Sequence, residues 1–174
     1  RNVAGRIKCP LYEVETNLIV PVEQASDKEN FSAGTFRPRI TKQLEKYLVP
    51  LRHIRPKLDS LGLKFKSFDV ENIDKAVSKL DIDHSVGKVT SFEGGTDVAK
   101  RRLRDFLKNK LDKFEKLRND PCADCVSDMS PYLHFGQISP VEIALRVIRC
   151  SCRNIESKEA YLEQLIVRRE LSMN

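Results

Sequence analysis

The tetrapeptide Ser127-Asp-Met-Ser130 places two hydroxyls just ahead of an apolar stretch that begins at Pro131. Hydroxyls and free backbone amides at a helix start suit a phosphate, because a helix N-terminus offers unpaired donors and a partial positive charge. The same pattern also serves as an ordinary helix cap. The cysteines are Cys9, Cys122, Cys125, Cys150 and Cys152. Cys122-Ala-Asp-Cys125 has the two-residue spacing of a zinc knuckle, but Cys150-Ser-Cys152 has one intervening residue and does not form a matching second knuckle. An odd cysteine count in a chain that opens without a secretory signal fits free thiols in a reducing, intracellular compartment, nucleus or cytoplasm, and no metal is expected. His53, His84 and His134 are scattered, and no HExxH, GxSxG or phosphate-loop string occurs. Asp81 and Asp83 lie in irregular sequence and suit loop capping. Position by position, no enzyme class emerges.

The elements that must hold these residues follow from composition and period. The chain has 174 residues, 40% of them hydrophobic and 32% charged, with 31 Lys+Arg against 25 Asp+Glu for a net charge of +6. This is globular usage, which excludes a wholly disordered chain. No apolar run approaches the ~20 residues of a membrane helix, so no membrane partner is expected. Val14 to Val22 is a β-branched run closed by Pro21 and is expected to form a short buried strand. Ser32–Thr35 reads as a turn, and 37–48 as a helix with Pro38 in its first turn. Residues 57–95 lack a sustained period and read as a connection. From Asp97, expected as an N-cap, Ala99, Leu103, Phe106, Leu107, Leu111, Phe114 and Leu117 recur at helical steps. The opposite face carries Lys100, Arg101, Arg104 and Lys108, a solvated face that could also contact phosphates. Ser139-Pro-Val-Glu142 is a capping box in sequence, opening a helix to about Arg149, and Ser157 is expected to cap the last helix. The class is therefore mixed α/β followed by all-α.

Three strings in order carry a family resemblance: Arg118-Asn-Asp-Pro121, Ser127-Asp-Met-Ser-Pro-Tyr-Leu-His-Phe-Gly-Gln-Ile-Ser139, and Tyr161-Leu-Glu-Gln-Leu-Ile-Val-Arg-Arg-Glu-Leu171. Together they resemble the class II cyclobutane-pyrimidine-dimer DNA photolyases. Upstream, Val14–Val22, Ala25-Ser-Asp-Lys28 and Thr35-Phe-Arg-Pro-Arg-Ile40 are similar to the end of that family's doubly wound N-terminal α/β domain. The resemblance implies an internal fragment, lacking both the start of the α/β domain and the end of the FAD domain and expected to be inactive by itself. Residues 1–62 would be the end of the α/β (antenna) domain, 63–95 an interdomain linker, and 96–174 the first part of a helical FAD-binding domain. It further implies a carbon–carbon lyase, driven by light, in which reduced FAD passes an electron to a flipped-out pyrimidine dimer and recovers it. Damaged DNA would be the partner, the protein would be monomeric, and any antenna pigment is unspecified.

Carried over by position, Val126, Ser127, Asp128, Met129 and Ser130 would grip the FAD phosphates and ribitol. The helix from Tyr161 would line flavin and lesion, with Gln164 and Arg168 in catalytic positions and Arg118 and Gln164 facing DNA. The chain departs from the family at three places. Phe114 stands where a Tyr usually offers its hydroxyl to a flavin phosphate, Gln164 where a Glu hydrogen-bonds the lesion, and Val126 where a small hydroxyl residue is common. Those departures keep two alternatives open: a cryptochrome-like or degenerate flavoprotein without repair activity, and a flavin-free basic module that binds nucleic acid or a partner.

Overall fold

The computed structural model describes residues 3–12, 14–52, 54–64 and 66–174; His53 lies outside them. Two compact units divide the chain: residues up to Leu51 together with Gly94–Asn174, and Arg52–Glu93. Among the described residues there is no strand, and no helix is long and apolar enough to cross a membrane.

The expected α/β portion is therefore corrected to a helical one. Leu18, Ile19 and Val20 are buried, as their apolar side chains dictate, but no neighbouring strand takes their amides. Ile19 N–H and Val20 N–H instead donate to the carboxylate of Glu170, at 2.7 and 3.4 Å. A side chain on the last helix thus does for this segment what a sheet ladder would have done. Helix α1 (Val22–Ala25) follows directly, and Glu15 accepts from its Val22 N–H.

Helix α2 (Ala33–Tyr47) starts four residues earlier than its sequence suggests. Ser32 is its N-cap, accepting from Thr35 N–H at 3.3 Å, so the expected turn is the helix's own first turn. Pro38 consequently sits in the second turn, where its missing amide would have met the Gly34 carbonyl. Phe36 and Ile40 are buried from this helix.

The unit Arg52–Glu93 contains α3 (Ile73–Ser78), capped by Asn72, with Ala76 its buried residue. Asp59, Asp69 and Asp83 each accept from an amide two residues on, the loop role expected of Asp83. Ile54, Leu58 and Leu61 are more than 80% exposed, so this unit closes almost no core.

Helix α4 (Thr96–Asp105) opens at Gly95, not at Asp97, which instead contributes its negative charge to the first turn. Gly95 adopts φ +120°, a conformation that other residues rarely take, and its N–H donates to Gln137 Oε1 at 2.9 Å. The helical path then passes through a π-turn (Phe106–Lys110), a 3₁₀ turn (Leu111–Lys113) and α5 (Phe114–Leu117). In the π-turn Leu111 N–H reaches the Phe106 carbonyl, five residues back.

Helix α6 (Ser130–His134) is a single turn and α7 (Pro140–Arg149) has the expected bounds. Ser139 caps α7 through Val141 N–H at 3.2 Å, but the capping box does not close, because Glu142 pairs with Arg146 at 2.7 Å instead. Helix α8 (Ile155–Leu162) is capped by Asn154, whose side chain accepts from Ser157 N–H. Ser157, expected as the cap, is fully buried: its hydroxyl donates to the Asp112 carbonyl at 3.2 Å and accepts from Glu115 N–H at 3.0 Å. A second π-turn (Glu163–Arg168) leads into α9 (Arg169–Leu171).

The N-terminal segment is joined to these last elements by polar ties as well as burial. Arg37 makes a two-pronged pair with Glu163, at 3.1 and 2.8 Å, and Asn30 donates twice to Asn174 Oδ1.

Candidate functional site

Residues 118–129 join α5 to α6. Asp120 accepts from Cys122 N–H at 2.9 Å, and Lys110 pairs with Asp124. Cys125 is buried with its thiol on the Lys110 carbonyl at 3.3 Å, whereas Cys122 is exposed. Burial raises the Cys125 thiol above its ordinary pKa. Cys152 donates to Asp112 at 2.9 Å, and burial pushes its thiol up to about 11, so it stays protonated at neutral pH. Among the described residues no three His, Cys, Asp or Glu side chains group as metal ligands would.

Asp128 turns the chain with φ +55°, a left-handed conformation that Asp tolerates better than most residues. The turn leaves Val126 exposed, buries Met129 and sets Ser130 at the first position of α6. The Asp128 carboxylate lies 3.8 Å from Arg102. Ser127 Oγ accepts from Met129 N–H at 3.4 Å and from the Tyr161 hydroxyl at 3.0 Å.

Tyr161 belongs to a buried aromatic cluster. Its ring centroid lies 4.7 Å from that of Phe106 and 5.2 Å from that of Phe114, the latter edge-on. Phe114 is therefore a core residue, with the Arg118 guanidinium 6.0 Å from its ring centroid. Burial pushes the Tyr161 phenol up to about 12.

Two cavities meet at Ser127. One, of about 310 Å³, is bordered by Arg101, Arg102, Phe106 and Lys110 with Val126–Asp128. The other, of about 250 Å³, lies between Ser127, Met129 and Ser130 on one side and Tyr161, Gln164 and Arg169 on the other. Of the residues singled out in the sequence, Ser127, Met129, Ser130, Tyr161 and Gln164 are thus brought together at one cavity. Val126 and Asp128 border its neighbour, and Phe114 and Arg118 line neither.

Arg168 also lines neither cavity. Its side chain is 57% exposed and lies 3.7 Å from Glu163, a carboxylate that the Arg37 hydrogen bond holds below its ordinary pKa. Arg169 takes the cavity wall and also donates to the Asn17 carbonyl; burial lowers its guanidinium pKa. Arg169 lies four residues after Leu165 and eight after Tyr161, the spacing of one helical face, so it continues the wall they form. Its N–H bonds to the Gln164 carbonyl, five residues back, within the π-turn.

No protein-family model matches the chain. It is similar to a protein named deoxyribodipyrimidine photo-lyase from Methanothermobacter thermautotrophicus, with 48% identity over 98% of the chain and 36% of that relative. Relatives of the same name from Arabidopsis thaliana and Oryza sativa are 34% and 33% identical over 94% of the chain, and over 34% and 33% of their own lengths. The chain thus spans about a third of the relatives it matches, including both the N-terminal segment and the last helices.

Proposed function

We propose that the chain forms part of the flavin-binding unit of a DNA photolyase of class II, and that the protein it serves splits cyclobutane pyrimidine dimers in light. The observation that carries the reading is the single cavity shared by the Ser127–Ser130 turn and the helix from Tyr161, in a chain similar along nearly its whole length to named photo-lyases. The donor set suits a cofactor with anionic and apolar parts: Ser127 and Ser130 hydroxyls, the Gln164 amide and the Arg169 guanidinium sit beside Leu133 and Leu165. At about 250 Å³ the cavity falls below the ~300–1,000 Å³ typical of sites that enclose a whole ligand. It matches a phosphate-and-ribitol portion better than an entire dinucleotide.

In this reading Ser127, Met129 and Ser130 face the FAD phosphates and ribitol, Val126 and Asp128 border the adjoining cavity, and Tyr161, Gln164 and Arg169 lie toward the flavin, with Arg168 outside it. Reduced FAD, when bound, supplies the electron that opens the dimer and takes it back. Gln164 orients the lesion through an amide that donates and accepts but carries no proton or charge to it. Arg118, Gln164 and the cationic face of α4 serve the DNA, the last through contacts that weaken with salt. Residues 1–62, 63–95 and 96–174 correspond in this proposal to antenna-domain end, linker and flavin domain.

The experiment is illumination of a thymine-dimer oligonucleotide with the purified, flavin-loaded full-length protein of which this chain forms part. Light-dependent dimer loss is expected, and Gln164→Glu raises its yield. Repair equal in light and dark rejects the photolyase reading. Bound flavin without repair supports the degenerate flavoprotein instead.

A further inference from the structure

The Ser127 hydroxyl has an inventory of one donor and two acceptor positions. Both acceptor positions are taken in this structure. Met129 N–H can only donate, and it reaches Ser127 Oγ at 3.4 Å. The Tyr161 hydroxyl lies 3.0 Å from the same oxygen and has it as acceptor. The phenol is buried within the Phe106–Phe114–Tyr161 cluster, and it is the only hydroxyl those three rings carry.

We infer that Tyr161 is a positioning residue that fills the remaining acceptor site of Ser127 and so turns the serine proton toward the cavity, where it selects an acceptor-only oxygen such as a pyrophosphate oxygen. The inference rests on the cofactor reading and deepens it. A ribitol hydroxyl accepts from the same serine only in a neutral hydrogen bond. A phosphate oxygen gains a charge-assisted bond. Burial pushes the phenol up to about 12, so it keeps its proton throughout the physiological range. Tyr161 thereby supplies, one bond removed, the hydroxyl that Phe114 does not.

The test is titration of the 174-residue chain with FAD, inorganic pyrophosphate and riboflavin, the last lacking phosphate. Tyr161→Phe weakens FAD and pyrophosphate about tenfold and leaves riboflavin within about twofold, as loss of one bond to a charged acceptor predicts. Ser127→Ala weakens the first two at least as much, and the double variant is no worse than Ser127→Ala. Should Tyr161→Phe not fold, Ser127→Thr, which keeps the hydroxyl, is expected to bind pyrophosphate more tightly than Ser127→Ala. Unchanged binding in Tyr161→Phe, two losses that simply add, or equal binding by the Ser127 variants overturns the inference. Pyrophosphate bound in a Tyr161-dependent way without FAD upholds it while rejecting the flavin reading. FAD bound equally by chain and Tyr161→Phe does the reverse. A chain that binds neither probe rejects both.

Discussion

Glu170 is a carboxyl enclosed by the structure, and its burial outweighs the two amide donors that favour its charge. Its pKa rises from the ordinary 4.5 to about 7. A group that holds its proton more tightly when folded stabilises the fold most below its unfolded pKa, and the contribution is lost as pH rises through the folded one. Melting temperature is therefore expected to fall between about pH 5 and about pH 8, by the equivalent of roughly 2–3 kcal/mol, since a tenfold change in proton affinity is worth ~1.4 kcal/mol. Glu170→Gln flattens that profile. A profile of unchanged slope in the variant would assign the dependence to another group. Nothing in the sequence around Arg169-Glu170 marks the carboxyl as buried: its partners are amides 150 residues away. By contrast the Ser127–Ser130 turn was legible, because its hydroxyls, its proline and the helix beyond it are local features.

The two π-turns are what period counting could not supply at the scale of elements. Each adds a residue to a turn, at Phe106–Lys110 and at Glu163–Arg168, and each rotates the face that follows. The apolar stripe of α4 to α5 was recognised because burial tolerates such a rotation; Arg168, carried over by resemblance alone, lies outside the cavity that Arg169 lines. Capping errors have a related cause. A serine three residues into α8 resembles an N-cap, but Asn154 holds that place and Ser157 bridges α8 to the turn at Asp112 and to α5. Ser157→Ala leaves the Glu115 amide without its partner at a buried contact. A loss of about 1–3 kcal/mol is expected, read as denaturation midpoint. A loss below about 0.5 kcal/mol, the range of ordinary surface substitutions, would show that the bridge does not tie these elements.

At the scale of the whole molecule, the unit up to Leu51 with Gly94–Asn174 carries the core, and Arg52–Glu93 buries little. Trypsin is expected to cut first within 52–93, where lysines such as Lys57, Lys64 and Lys79 are exposed. The nicked halves are expected to stay together on size exclusion, held by Glu170, the Arg37–Glu163 pair and the Asn30–Asn174 bonds. Separation of the halves would sink that account of the core. The sequence by itself determined the helical periods, the capped start of α7, the patternless connection and the resemblance to photolyases, since these are written in neighbouring residues. Only the tertiary structure decided that the Leu18–Val20 segment lies against a helix rather than in a sheet, and that Tyr161 meets Ser127. Those outcomes depend on which distant group satisfies a buried donor, and no local pattern names that group.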